Sequence, residues 1–250
     1  MSTSNIRVLI VGAHGKMGKP AMAAIQNHPA LTLVGGCDRD SNLADMIRNT
    51  RPDVAVDLTN PTVVYQHAEL FIEHEIHPVI GTSGLSEQQI QTLSAACNQK
   101  QLGGLIVPNF SIGAVLMMHF AARASAYYAN AHIVETHHLE KKDAPSGTAI
   151  HTAHLMHSAQ KTKPLPHASV ETQPGSLGAV VQGIPIHSVR LPGKLAHQTV
   201  TLASTGETLT IQHDTHNRAA FMPGLCLCCE QVNQLNSLQM GLEKILFSET

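Results

Sequence analysis

Short apolar runs alternate with longer amphipathic stretches through the first 107 residues, and this rhythm restricts the chain to few folds. Residues 6–12, 31–37, 53–58, 77–81 and 104–107 read as buried strands. Between them residues 17–27, 61–75 and 86–100 show helical spacing, with Pro61 at the favoured first helical position. Strands separated by helices of about 10–15 residues form βαβ units with a parallel sheet and right-handed crossovers. Past residue 111 the rhythm stops. A helix over 113–128, a strand over 131–138 and a helix over 148–160 are expected, then a loop over 161–175 and short strands over 179–212. From Ala219 onward the chain reads as mainly helical, interrupted at Pro223-Gly224. The expected class is α/β, a parallel sheet with its helices followed by an α+β segment that lacks this rhythm.

Composition narrows function rather than fold. A net charge of −2 with neutral His gives no sequence-independent attraction to nucleic acid. No apolar run approaches the ~20 residues a bilayer span requires, so no membrane partner is expected. The chain enters a strand almost at once, so no signal peptide is expected. Five cysteines without a regular pattern fit a reduced, cytoplasmic setting. Charged residues are 14 per cent of the chain, against roughly a quarter in typical soluble domains. His, at 17, outnumbers Lys and Arg together, at 16.

The first strand runs into Gly12-Ala13-His14-Gly15-Lys16-Met17-Gly18 and then a helix. Glycines at such a turn let backbone approach a pyrophosphate, and the helix N-terminus offers free N–H donors. Asp38, at the end of the second strand and 20 residues beyond Gly18, suits the ribose hydroxyls of NAD(H). Arg39, with Lys16, suits the 2′-phosphate of NADP(H), so use of either NADPH or NADH is expected. Gly81-Thr82-Ser83-Gly84 ends the fourth strand, and Val107-Pro108-Asn109-Phe110-Ser111 ends the fifth. Ligands of open parallel sheets lie beyond the carboxyl ends of strands, which puts both segments on the cofactor side. Turn chemistry alone explains these residue types equally well.

The densest chemistry lies between Glu135 and Thr148. His137, His138, Lys141 and Lys142 precede Ser146-Gly147-Thr148, where Ser146 is a helix N-cap and the next N–H groups face an anion. His with a nearby Lys can move protons near neutral pH, and the whole suits a small carboxylate-bearing substrate. A solvated loop before a capped helix is the plainer alternative. His151, His154 and His157 recur every third residue and rotate around a helix, which favours a polar face over a metal site. Cys226, Cys228 and Cys229 are too crowded for a familiar zinc spacing, and no metal is expected.

These motifs resemble the 4-hydroxy-tetrahydrodipicolinate reductase (dihydrodipicolinate reductase) family of bacterial lysine and diaminopimelate synthesis. The resemblance covers almost the whole chain. It rests on the Gly12 to Gly18 loop, the Gly81-Thr82-Ser83-Gly84 and Asn109-Phe110-Ser111 pair, and Glu135-Thr136-His137-His138 followed by Lys141 and Asp143-Ala144-Pro145-Ser146-Gly147-Thr148-Ala149. It implies an α/β fold with a Rossmann-like dinucleotide-binding domain of residues 1–111 and 218–250 and an inserted α+β mixed-sheet domain of residues 112–217 that binds substrate and forms a homotetramer. It implies reduction of a cyclic dicarboxylate with NADPH or NADH. His137 becomes the proton donor or acceptor and Lys141 the proton donor. His138, Ser146, Gly147 and Thr148 become the substrate-binding set. Gly12, Ala13, His14, Gly15, Lys16, Met17, Asp38, Arg39, Gly81, Thr82, Ser83, Val107, Pro108, Asn109 and Phe110 become the nucleotide contacts. Departures are Leu139-Glu140 ahead of the lysines and Leu195-Ala196-His197 where the family carries Gly-Glu-His. Alternatives are an aspartate-dehydrogenase-like Rossmann oxidoreductase and a nucleotide-sensing module without catalysis. The second is disfavoured by the intact His137 and Lys141.

Overall fold

The computed structural model describes residues 5–161 and 169–247. The chain divides into two compact units, Met1–Ile112 with Arg218–Thr250, and Gly113–Asn217. The first unit opens with β1 (Ile6–Val11), α1 (Gly18–Gln26), β2 (Leu31–Cys37), α2 (Leu43–Thr50) and β3 (Val54–Asp57). It continues through α3 (Val64–Glu73), β4 (His77–Ile80), α4 (Glu87–Lys100) and β5 (Gly104–Ile106). The second unit contains α5 (Ile112–Ser125), β6 (Asn130–His137), α6 (Gly147–Ala159), β7 (Ala179–Val181), β8 (Ile184–Arg190), β9 (Ala196–Ser204) and β10 (Glu207–Thr215). The chain then returns to the first unit with α7 (Met222–Gln231), β11 (Leu238–Met240) and α8 (Glu243–Leu246).

The first sheet has the order β11-β5-β4-β3-β1-β2, and every pairing in it is parallel. Its central strands are covered on both faces, so Val8, Leu9, Ile10, Val54, Ala55 and Val56 are all wholly buried. That double burial explains why these strands read as apolar runs rather than as alternating patterns. From β2 the chain crosses β1 before laying down β3, which creates a topological switch point beside β1.

The second sheet has the order β10-β9-β6-β8-β7. It is mixed, because β6 runs parallel to β8 and antiparallel to β9. Ile133, Ile186, Val200 and Leu202 point to one face, where Ala121 of α5 and Ala149, Ala153 and Met156 of α6 cover them. Burying a side chain such as Ile133 or Met156 contributes about 1.5–3 kcal/mol. Small residues on the two helices let them lie close to the strands.

Three expectations change in detail. Pro61 opens a turn rather than a helix, and α3 starts only at Val64. The segment beyond Ala219 is not only helical, since β11 adds a sixth parallel strand beside β5. Helix α2 was not foreseen at all. The expected loop over 161–175 falls partly on residues 162–168, which lie outside the described residues.

Candidate active site

The glycine turn joins β1 to α1, and its geometry requires glycine. Gly12 has φ +88°, and a Cβ there would lie 2.5 Å from the Leu58 carbonyl oxygen. A Cβ on Gly18 would fall on the Gly12 and Ala13 carbonyls. The N–H groups of Gly12 and Ala13 donate to the Cys37 carbonyl at 2.8 and 3.1 Å, and that of Gly15 to the Gly12 carbonyl. Those of Lys16, Met17 and Gly18 have no backbone acceptor among the described residues, so the end of the turn keeps the free donors that suit an anion.

Asp38 follows β2 and faces this turn. Its carboxylate accepts from the His14 backbone N–H at 3.2 Å and is also paired with the His14 imidazole. Arg39 is 92 per cent exposed and among the described residues pairs only with Asp40, at 3.8 Å. A cleft of about 600 Å³ runs past Gly12, Gly15, Asp38, Arg39, Asn60 and His67. A tight glycine turn, unbonded N–H donors, a carboxylate at the second strand's end and an open cleft fit a dinucleotide.

The remaining cofactor candidates lie at the same carboxyl edge, after β4 and β5. Thr82 is buried, and its Oγ donates to Asp57 Oδ1 at 2.5 Å. Ser83 and Pro108 are exposed. Val107 and Phe110 are buried, and Phe110 lies where a Cβ on Gly81 would be. The Asn109 side chain accepts from the Ser111 N–H at 2.9 Å.

In the second unit the site is organised around a carboxylate. Glu135 on β6 is wholly buried. It accepts from His137 Nδ1 at 2.5 Å, from both Arg190 Nη atoms at 3.0 and 3.1 Å, and from the Ser146 N–H at 3.2 Å. Burial pushes its carboxyl up, and the hydrogen bonds from His137, Arg190 and Ser188 more than reverse this, holding it at about 2. With Nδ1 turned to Glu135, the ring nitrogen of His137 left for another partner is Nε2. Arg190 also donates to the Asp143 carbonyl, so strand β8 grips the loop before α6.

Ser146 caps α6, its Oγ accepting from the Ala149 N–H at 3.2 Å. Beyond it Gly147 is exposed, with nothing within 4 Å of a Cβ placed there. Lys141 Nζ donates to both Asp143 oxygens at 2.6 and 2.7 Å. The Lys141 hydrogen bond holds the Asp143 carboxyl below the usual range, with a further one from the Gly147 backbone. Lys142 is exposed. His138 is half-buried, and its carbonyl accepts from the Lys141 N–H at 3.1 Å.

His151, His154 and His157 line the exposed side of α6, opposite buried Thr152, Ala153 and Met156. Cys226, Cys228 and Cys229 are buried free thiols of α7, pushed well above the ordinary thiol range by burial. Among the described residues no three His, Cys, Asp or Glu side chains cluster as metal ligands. The sequence pattern does not point to Arg190, which holds Glu135, or to Asp57 and the His67 ring it holds at the cleft. The only signal was the pair of acids closing the apolar run Asp53 to Asp57.

A parallel sheet with a glycine turn and an acid at its switch point, carrying an inserted mixed sheet, defines a Rossmann-type oxidoreductase that uses a pyridine nucleotide. The family model for dihydrodipicolinate reductase, N-terminus, matches residues 6–110, and that for its C-terminus matches residues 113–246. The chain belongs to the dihydrodipicolinate reductase family, whose members act in diaminopimelate and lysine synthesis. It is 46 per cent identical over 240 residues to the 4-hydroxy-tetrahydrodipicolinate reductase of Legionella pneumophila (strain Lens), covering 96 per cent of this chain and 99 per cent of that one. Against the same enzyme of Coxiella burnetii (strain Dugway 5J108-111) it is 44 per cent identical over 244 residues, with the same shares covered. The structure of dipicolinate-bound dihydrodipicolinate reductase from Paenisporosarcina sp. TG-14 superposes with a TM-score of 0.90 at 39 per cent identity, over 96 per cent of this chain and 99 per cent of that one.

Proposed function

We propose that the chain reduces 4-hydroxy-tetrahydrodipicolinate to tetrahydrodipicolinate with His137 and Lys141 as its proton-handling groups. One observation carries the residue assignment: buried Glu135 joins the Nδ1 edge of His137 to the N–H of the helix cap Ser146. A single carboxylate thus aligns a proton-exchanging imidazole with an anion-binding helix start. The nucleotide, when bound, supplies a hydride. The 4-hydroxyl leaves as water with the proton that Lys141 Nζ donates, the hydride would take its place on the ring, and His137 Nε2 takes and returns the neighbouring ring proton. Such groups are worth about 10²–10⁴-fold in rate.

The dipicolinate bound to the Paenisporosarcina relative supports a small dicarboxylate substrate here. His138, Ser146, Gly147 and Thr148 would hold its carboxylates. Asp143 now takes the Lys141 ammonium for itself, and a substrate carboxylate would replace it there. Gly12 to Met17, Asp38 and Arg39, Gly81 to Ser83 and Val107 to Phe110 would contact the nucleotide. Thr82 and Phe110, being buried, would contribute backbone or ring edge rather than a free polar group. We place residues 1–111 and 218–250 in the nucleotide domain and residues 112–217 in the substrate domain. A cytoplasmic homotetramer is supported by the sparse charge and by the exposed Tyr127, Val180 and Leu209 of the second unit. No helix among the described residues is long and apolar enough to cross a membrane.

The test is an assay with freshly prepared 4-hydroxy-tetrahydrodipicolinate that follows NADPH and NADH oxidation separately. Oxidation dependent on that substrate is expected, and its absence with both nucleotides overturns the proposal. Arg39 bears on the choice between them. With its guanidinium exposed and only loosely held by Asp40, it is available to a 2′-phosphate. Charged hydrogen bonds contribute about 1.5–3 kcal/mol, so Arg39→Ala should weaken NADPH about 10–100-fold. NADH, which lacks that phosphate, should change little. Equal losses would remove Arg39 from 2′-phosphate recognition.

A further inference from the structure

Asp57 closes β3 and is wholly buried, and among the described residues no Lys or Arg pairs with it. A buried carboxylate persists only when its oxygens are hydrogen-bonded. Oδ1 accepts from the Thr59 N–H at 3.1 Å, Thr59 Oγ1 at 2.7 Å and Thr82 Oγ1 at 2.5 Å. Oδ2 accepts from His67 Nδ1 at 2.7 Å. One acid therefore ties together the loop after β3, the loop after β4 and helix α3.

What the arrangement leaves over is the other nitrogen of His67. The ring lines the cleft, and its side chain is 21 per cent exposed. Nδ1 is committed to Asp57, and Nε2 has no partner among the described residues. Leu58 and Val63 are apolar, and Asn60 Oδ1 already accepts from Thr62 N and Oγ1 at 3.0 and 2.5 Å. The opposite wall holds the glycine turn and Asp38, which the proposed function gives to the diphosphate and the adenosine ribose.

We infer that His67 Nε2 hydrogen-bonds the adenosine-diphosphate half of the nucleotide, and that Asp57 is the positioning residue that turns the ring to do so. The inference rests on the proposed nucleotide site. The adenine ring, the ribose hydroxyls and the phosphate oxygens all offer it partners. Asp57 fixes which imidazole nitrogen faces the cleft, and through Thr82 it sets the adjoining loop at the same time.

The test uses the full chain, with calorimetric titration of ADP-ribose and 2′-phospho-ADP-ribose, which carry the adenosine half without nicotinamide. His67→Asn retains a donor where Nδ1 stands but nothing where Nε2 stands. It should weaken both probes about fivefold, the effect of one lost hydrogen bond. His67→Gln reaches the Nε2 position and should recover most of that loss. KM for the nucleotide should rise with kcat within about twofold of the unaltered chain, a split that general loosening of the loops would not give. Asp57→Asn should weaken the probes as well, and adding His67→Asn should weaken them no further. Probe affinity in His67→Asn equal to that of the unaltered chain overturns the inference, as does equal weakening by Asn and Gln. Failure of the unaltered chain to bind either probe would instead overturn the nucleotide site beneath it.

Discussion

His137→Gln is expected to lower kcat by about 10²–10⁴-fold, the range for a positioned general acid or base. Glutamine places an amide where Nε2 stands, so the atom offered to the substrate no longer titrates near neutral pH, and the Nδ1 bond to Glu135 goes with the imidazole. The nucleotide turn after β1 belongs to the other compact unit, so NADPH affinity should stay near that of the unaltered chain. Steady-state kinetics with a separate nucleotide titration checks both halves. An unchanged kcat would remove His137 from proton transfer. A matching loss of nucleotide affinity would show that the substitution disturbs more than one side chain. Lys141 provides a contrast within the same loop. Its ammonium is already held by both Asp143 oxygens, so its proton becomes available only once that pair opens.

The parallel half of the fold was legible because strands buried on both faces leave unbroken apolar runs, as in Val8 to Val11 and Val54 to Val56. Helix α2 was not, since its only buried residue is Ile47 and its exposed positions are polar. Strand β11 is three residues long at a sheet edge, too short for any period to show. In the site, Ser146 and His137 were legible because cap and imidazole sit in one contiguous stretch. Arg190 and the Asp57–His67 pair were not. Arg190 reaches Glu135 across 55 residues of sequence, and neighbouring strands rather than neighbouring residues bring them together. The excess of His also has a structural sense. His14, His28, His67, His137 and His197 each lie against a carboxylate, those of Asp38, Glu230, Asp57, Glu135 and Asp214. In a chain short of Lys and Arg, imidazole takes over part of the work of meeting acids.

Glu135→Gln should damage both stability and turnover, and pH separates the two. Gln can accept from Arg190, but it removes the one carboxylate that pairs with that guanidinium among the described residues and leaves a half-buried charge uncompensated. Breaking such a pair from one side costs about 3–5 kcal/mol. The folded Glu135 titrates at about 2, below the ordinary 4.5 of the free side chain. A depressed carboxyl contributes stability that is fully present above the unfolded value and is lost as pH falls through the folded one. The unaltered chain should therefore lose this contribution between about pH 4.5 and pH 2, at up to about 1.4 kcal/mol per pH unit. The variant has no such group to protonate. Urea unfolding at pH 7 and pH 3 should show a wide gap between the two chains at pH 7 and a narrower one at pH 3, and a gap independent of pH would overturn the assignment. Turnover should fall as well, because the Gln amide offers a donor to His137 Nδ1. The imidazole then answers with Nδ1 as acceptor and carries its proton on Nε2, the reverse of the arrangement Glu135 imposes. If kcat at pH 7 survives in the folded variant, Glu135 is a structural acid alone, and the orientation of His137 rests on some other contact.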